Sequence, residues 1–285
     1  MKNSLDLCRS VLFVPGSVQK RIDKAASIAA DAIVFDLEDA VAPAEKERAR
    51  ELVVAALSSS AFASKQLIVR VNGLSTPWFV EDIEAVLATG RGAIMLPKCE
   101  SAGDVKEAKS FFKNTALPLF VIIETAKGVL AASDISKALT TTDSVCFGHV
   151  DFAADMALNE ANANTGIIYH ARCQVALAAR AFGATPVDNV CLDVKDDEAI
   201  RNDTLNGLNL GYAGKLCIHP HQVAIVNDVY TPTEQQVEKA NAILAAWDDA
   251  QRQGQGVFTF QNKMIDLPVI RAQQSILMRY QAAHN

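Results

Sequence analysis

Short runs of apolar, β-branched and aromatic residues recur along the chain, separated by longer stretches in which apolar positions repeat at helical spacing. The runs are 10–15 (SVLFVP), 32–39 (AIVFDLED), 66–72 (QLIVRVN), 93–98 (AIMLPK), 118–125 (PLFVIIET), 144–151 (SVCFGHVD), 186–192 (PVDNVCL) and 214–220 (GKLCIHP). Most are continuous rather than alternating, the pattern of parallel strands covered on both faces. Ala- and charge-rich helical stretches lie between them, among them 44–57, 78–89, 101–112, 127–139 and 167–182. Strand then helix, eight times over, predicts an α/β fold of the (β/α)8 TIM-barrel type, whose usual size is about 250 residues. The competing doubly wound sheet wants a Gly-rich turn after its first strand, and VPGSVQK lacks the spacing.

The barrel is expected to occupy residues 1–225, leaving 226–285 as a C-terminal lid or oligomerisation arm. Within that extension, Pro232-Thr233 opens a long helix over 233–253 that closes near Gly254. Residues 254–268 (GQGVFTFQNKMIDLP) read as an irregular or hairpin segment, and 268–282 as a last amphipathic helix.

Composition narrows the classes. The chain has 285 residues, 50% hydrophobic and 21% charged, which is globular rather than disordered. A formal charge of −6 argues against a broad nucleic-acid surface. No uncharged apolar run approaches about 18 residues, so no membrane span is expected. The opening MKNSLDLCRS has no apolar stretch after its Lys and does not read as a secretory signal. Six cysteines without a CxxC pair read as buried thiols of a reducing, cytoplasmic setting, and argue against a zinc site or a disulfide scaffold.

In a barrel, chemistry gathers at the C-terminal ends of the strands. There the pattern places Asp36 and Glu38 on one face (positions i and i+2), Arg70 and Asn72, Glu124, Asp151, and His219. Glu124 and Asp151 are expected at the ends of consecutive strands, about 4.8 Å apart, where two carboxylates repel unless a cation lies between them. Oxygen-only ligation suits Mg²⁺ better than Zn²⁺. Rim carboxylates that are solvated or salt-bridged to Arg70 and Lys98 are the competing reading. His149 reads as a structural histidine, His219 as orienting its strand end, and Lys20 with Lys24 as a solvated helix face. Residues 45–50 read as a helical salt-bridge run, and Phe258 and Phe260 as packing.

Eight motifs occur together and in order: Arg9-Ser10-Val11-Leu12-Phe13-Val14-Pro15-Gly16, Asp36-Leu37-Glu38-Asp39-Ala40-Val41, Val69-Arg70-Val71-Asn72-Gly73, Leu96-Pro97-Lys98, Ile123-Glu124-Thr125, Phe147-Gly148-x-x-Asp151, Gly214-Lys215-x-Cys217-Ile218-His219-Pro220 and Met264-Ile265-Asp266-x-Pro268. The set resembles the citrate lyase β-subunit-like branch of the HpcH/HpaI aldolases, which includes malyl-CoA and citramalyl-CoA lyases, from Arg9 to about Leu277. The stretch Gly256-Val257-Phe258-Thr259-Phe260 is similar to citramalyl-CoA lyases in particular.

The resemblance implies a metal-dependent carbon–carbon lyase, using Mg²⁺ or Mn²⁺, that cleaves a 3-hydroxyacyl-CoA to acetyl-CoA and a small 2-oxo acid, pyruvate or glyoxylate. It implies Glu124 and Asp151 as metal ligands, Arg70 as the grip on the oxo-acid, and Glu38, with Asp36, in support of both. It implies Phe13, Lys20 and Lys24 at the CoA nucleotide and phosphates, and Leu216 and Cys217 along the thioester. Asp266 matches an acid/base on a C-terminal lid that reaches a neighbouring subunit, which implies a homo-oligomer, a trimer or a multiple of one. Two departures bear on substrate choice: Asp155-Met156-Ala157 stands where Asp-Leu-Gly is common, and His149 where a smaller or more acidic residue is usual. A malyl-CoA thioesterase and the β subunit of a multi-protein citrate lyase are alternatives within the fold. A non-catalytic CoA-binding barrel is a third, against which the presence of Glu124, Asp151, Arg70 and Asp266 speaks.

Overall fold

The computed structural model describes residues 8–113 and 115–284; the expectation for the first residues of the chain lies mostly outside them. Eight parallel strands close into a barrel in chain order: β1 (Ser10–Pro15), β2 (Ala32–Asp36), β3 (Gln66–Arg70), β4 (Ala93–Leu96), β5 (Leu119–Ile123), β6 (Ser144–Phe147), β7 (Thr185–Asp188) and β8 (Gly214–Cys217). Leu216 of β8 pairs with Val11 of β1 to complete the ring. Helices follow each strand: α1 (Gln19–Ala25), α2 (Lys46–Ser58), α3 (Phe79–Ala88), α4 (Ala102–Ser110), α5 (Ala126–Leu130) with α6 (Ala132–Ala138), α7 (His149–Asp155) with α8 (Gly166–Phe182), α9 (Asp197–Asn209) and α10 (Pro220–Tyr230). This is the TIM barrel that the strand–helix alternation predicts.

The barrel interior is a single apolar cluster that includes Val34, Ile68, Met95, Phe120, Ile122, Val187 and Leu216. Side chains alternate across a strand, so two residues beyond an interior position the chain again faces inward. That rule carries Val34 to Asp36, Ile68 to Arg70 and Ile122 to Glu124, and so stacks polar groups on top of the apolar plug. The residues between them pack outward; Phe35 meets Phe62 edge-on at 5.4 Å.

The strands stop earlier than the hydrophobic runs suggest. β2 ends at Asp36, because its carboxylate accepts from the backbone N–H of Glu38 (2.9 Å) and of Ala40 (3.2 Å) and turns the chain out of the sheet. β6 ends at Phe147, so Asp151 is not a strand-end residue: after Gly148 the chain enters α7, and Asp151 lies in its first turn. His219 falls in the turn between β8 and α10, exposed, where its Nδ1 accepts from the His221 N–H at 3.2 Å. The helix expected over 127–139 is two helices, interrupted at Ala131 (φ −89, ψ 2).

The residues through Asn227 form one compact unit and those from Asp228 on a second. In the second unit α11 (Glu234–Arg252) starts at a capping box in which Thr233 and Gln236 satisfy each other's N–H groups. Strands β9 (Phe258–Phe260) and β10 (Lys263–Ile265) pair antiparallel, and α12 (Leu267–His284) follows. Gln261 and Asn262 both have positive φ (47 and 59), as a two-residue hairpin turn requires. Ile243, Ile265 and Ile270 form its core, with Trp247, Phe258 and Phe260 against them.

Five of the six free cysteines are buried and Cys173 is partly so. Among the described residues no helix is long and apolar enough to cross a membrane.

Candidate active site

Asp36 and Arg70 are register partners on β2 and β3. Both face inward, so the guanidinium meets the carboxylate side-on: Arg70 Nε donates to Asp36 Oδ1 and Nη2 to Oδ2, each at 2.7 Å. Nη1 lies 2.8 Å from Glu38 Oε2, and the guanidinium sits 5.1 Å above the Phe13 ring. Burial by itself would lower the Arg70 pKa, but the bonds to Asp36 and the charges of Asp36, Glu38 and Glu124 raise it, so the group is a fixed cation. Burial raises the Glu38 carboxyl above its ordinary range, while Arg70 and Lys98 pull it back.

Glu124 follows β5 and is buried. Its Oε1 accepts from the Lys98 backbone N–H at 2.8 Å. Lys98 adopts a left-handed conformation (φ 50), uncommon outside glycine. Its amide serves Glu124 while its ammonium pairs with Glu38 and lies 3.7 Å from Asp39. The space beside Glu124 depends on Gly148: a Cβ there would stand 2.5 Å from Glu124 Oε2 and 2.6 Å from its Cβ.

The electrostatics of this corner are unbalanced. Burial first, and then the negative charges of Asp151 and Glu38, push the Glu124 carboxyl up to about 8. A buried carboxyl held that high is one whose nearby positive charge, here Arg70, does not offset burial and the neighbouring carboxylates. A divalent cation between Glu124 and Asp151 would supply the missing charge, and two carboxylate oxygen donors suit Mg²⁺ or Mn²⁺. Among the described residues no group of three or more His, Cys, Asp or Glu is arranged to hold a metal.

The other residues singled out from the sequence divide between places. Phe13 lies against the interior cluster under Arg70. Leu216 belongs to that cluster; Cys217 is fully buried, its thiol pushed up to about 12 mainly by burial. Lys20 and Lys24 are exposed on α1. Asp266 belongs to the second unit, where its Oδ1 accepts from the Val269 N–H at 3.3 Å, at the start of α12. Asp155 accepts from the Ala126 N–H at 2.7 Å and so holds the turn that follows Glu124. His149 is buried, with Asn189 Nδ2 3.2 Å from its Nδ1; burial first, then the positive charge of Lys215, lowers its pKa to about 4, so it is neutral.

Lys98, read from the sequence as a salt-bridge partner of the rim carboxylates, pairs with Glu38. One residue escaped a role in the sequence reading. Lys46, inside the charged stretch 45–50, is buried rather than solvated.

Comparison with known proteins places the chain in a family. Residues 9–220 match the HpcH/HpaI aldolase/citrate lyase family, and residues 186–280 the C-C bond lyase family of the TIM-barrel fold. The chain is 37% identical to a (3S)-malyl-CoA thioesterase of Cereibacter sphaeroides, over 94% of this chain and 93% of that one. It is 34% identical to an L-malyl-CoA/β-methylmalyl-CoA lyase of Rhodobacter capsulatus, over 97% and 96%. A crystal structure of the protein CitE from Mycobacterium tuberculosis with magnesium, acetoacetate and coenzyme A superposes with a TM-score of 0.81 at 30% identity, covering 96% of this chain and 98% of that one. The interior-facing carboxylates and arginine at the mouth of the barrel thus sit in a chain that belongs to the HpcH/HpaI aldolase/citrate lyase family of carbon–carbon bond lyases.

Proposed function

We propose that this protein is a magnesium-dependent lyase that cleaves a 3-hydroxyacyl-CoA, of the malyl-CoA or citramalyl-CoA type, into acetyl-CoA and glyoxylate or pyruvate. The observation that carries the reading is the arrangement at the barrel mouth: a buried Glu124 with open space beside it at Gly148, and an Arg70 guanidinium locked side-on by Asp36. Glu124 and Asp151 hold the metal, with Mn²⁺ as its substitute. When bound, the cation supplies Lewis-acid stabilisation of negative charge on the substrate's hydroxyl and carboxylate oxygens.

The chain's own residues do the rest. Arg70 has five N–H donors and commits two of them to hydrogen bonds with Asp36, while Nη1 is ion-paired with Glu38, which leaves donors to grip the oxo-acid carboxylate. Asp36 and Glu38 keep that fork aimed. The substrate hydroxyl gives its proton to solvent at the barrel mouth, the Cα–Cβ bond breaks and its electron pair passes into the thioester enolate. That lost proton is matched by the one a protonated Asp266 delivers to the enolate carbon, so no net proton is consumed. Asp266 returns a proton to that carbon while the lid excludes water. Phe13, Lys20, Lys24 and the backbone at Leu216 and Cys217 serve the CoA moiety. The second unit acts as lid and oligomerisation arm in a homo-oligomer, a trimer or a multiple of one, and the buried thiols fit a cytoplasmic setting.

The similarity to a malyl-CoA thioesterase favours a second reading, in which the same substrate class is hydrolysed to malate and free CoA. Product analysis by mass spectrometry over malyl-, methylmalyl-, citramalyl- and citryl-thioesters separates the two. Acetyl-CoA with an oxo-acid supports the lyase; free CoA with an intact hydroxy-diacid supports the thioesterase. No turnover of any thioester, or full turnover in excess EDTA, overturns both.

A further inference from the structure

The charged stretch that opens α2 conceals a cation with an unusual set of partners. Lys46 is 6% exposed, and its ammonium donates to the backbone oxygens of Leu37 (2.7 Å) and Glu38 (2.7 Å) and to Asn72 Oδ1 (2.6 Å). An ammonium has three N–H donors, and here all three go to neutral oxygens rather than to a carboxylate. The ammonium also lies over the Trp78 ring, 5.3 Å from its centre.

The two carbonyls belong to the peptide planes on either side of the Glu38 Cα. Pinning both planes fixes φ and ψ at Glu38 and thereby the direction of its side chain. That side chain meets Arg70 at 2.8 Å and pairs with Lys98. Asn72 carries the anchorage onward: its backbone and side-chain N–H groups donate to Asp82 Oδ2 at 3.0 and 2.6 Å, and Arg50 holds Asp82 Oδ1 at 2.8 Å. A cavity of about 520 Å³, lined by Glu38, Lys46, Asn72, Trp78 and Lys98 among others, lies beside the loop. With open space on that side, the hydrogen bonds to the Leu37 and Glu38 carbonyls, beside the buried Leu37 and Val41 side chains, fix the loop where it faces the cavity.

We propose that Lys46 is a positioning residue that sets the Glu38 carboxylate against Arg70. The proposal rests on the reading above, in which Glu38 and Arg70 serve the cleavage. Two measurements test it. In steady-state kinetics, Lys46→Met lowers kcat at least tenfold, with KM for the thioester within about twofold, and in a Glu38→Gln background it costs less than about twofold. Equal losses in the two backgrounds overturn the proposal, because a merely structural lysine acts independently of Glu38. In crystal structures of the wild type and of Lys46→Met, Glu38 leaves Arg70 in the variant. A Glu38–Arg70 contact unchanged in the variant overturns the proposal even if the wild type proves not to be a lyase. Should Lys46→Met fail to fold, Lys46→Gln, which keeps a donor but not all three, is read in the same two ways.

Discussion

Asp36 and Arg70 stand directly opposite each other on neighbouring strands and share two hydrogen bonds of 2.7 Å. The pairing determines which edge of the guanidinium remains for a ligand. Nε and one Nη2 hydrogen are committed side-on to Asp36 and Nη1 is ion-paired with Glu38, so the ligand meets the guanidinium on its Nη edge. The same Asp36 carboxylate turns the chain at Glu38 and Ala40, so a single side chain ends β2, orients Arg70 and starts the loop that brings Glu38 back to it.

Arg70→Lys keeps a positive charge but loses the planar fork that Asp36 and the oxo-acid share. Activity is expected to fall by roughly ten- to a hundredfold, about 1.4–2.7 kcal/mol, with a melting temperature close to wild type. Steady-state kinetics on the preferred thioester checks it. Wild-type kcat/KM in Arg70→Lys would show that charge alone suffices.

Gly148→Ala tests the metal corner without touching a carboxylate. The added Cβ would stand 2.6 Å from the Glu124 Cβ, which is no flexible end, so Glu124 or α7 must shift. Mn²⁺ affinity, measured by electron paramagnetic resonance titration, is expected to drop at least tenfold, as in Glu124→Gln. Unchanged affinity in both variants would move the metal elsewhere.

The raised Glu124 carboxyl predicts a pH dependence with a definite sign. Without metal it titrates at about 8 when folded, against 4.5 for the ordinary group. Between those values the folded state keeps a proton that the unfolded chain has shed. Its contribution to stability is therefore fully present below about 4.5 and lost as pH rises through about 8. The melting temperature of metal-free protein should fall between pH 6 and 9 more steeply than that of Glu124→Gln. Mn²⁺ affinity should rise over the same window and level off above it, since the metal displaces the proton. Parallel melting curves for the two proteins would contradict the assignment of that proton to Glu124.

The barrel was legible because its strands are apolar on both faces, and the period of two then places Arg70 and Glu124 inward without further information. The strand ends were not legible. Asp36 and Glu38 extend the run on paper, but the Asp36 carboxylate takes backbone N–H groups that a continuing strand would give to its neighbour. Asp151 looked like a strand terminus because His149-Val150 continues the apolar string; the departure at Gly148 depends on space beside Glu124, a contact distant in sequence. Lys46 could not be told from its solvated neighbours, since nothing local to KERAR shows that two carbonyls nine and eight residues earlier fold over it. For Lys98 the ion pair was legible but not its left-handed backbone, whose amide reaches Glu124 across the barrel mouth.

Asp266 has two possible duties that lead to different measurements. Its Oδ1 accepts from the Val269 N–H at 3.3 Å, a long bond at the start of α12, and its backbone oxygen accepts from Ile270 at 3.1 Å. If capping were all, Asp266→Asn would change little, because Asn caps about as well as Asp, and Asp266→Ala would cost about 0.5–2 kcal/mol of stability with chemistry intact. If Asp266 carries the proton to the enolate carbon, Asp266→Asn loses at least about a hundredfold in rate, because an amide cannot serve as the acid. Asp266→Asn is therefore expected to melt near wild type and to be almost inactive. Delivery of that proton to a neighbouring subunit makes a further demand: Asp266→Asn mixed with inactive Glu124→Gln, under conditions that exchange subunits, should regain part of the activity. An active Asp266→Asn would leave the residue as a cap. Exchange proven by mass spectrometry without recovery would confine the proton transfer to one chain.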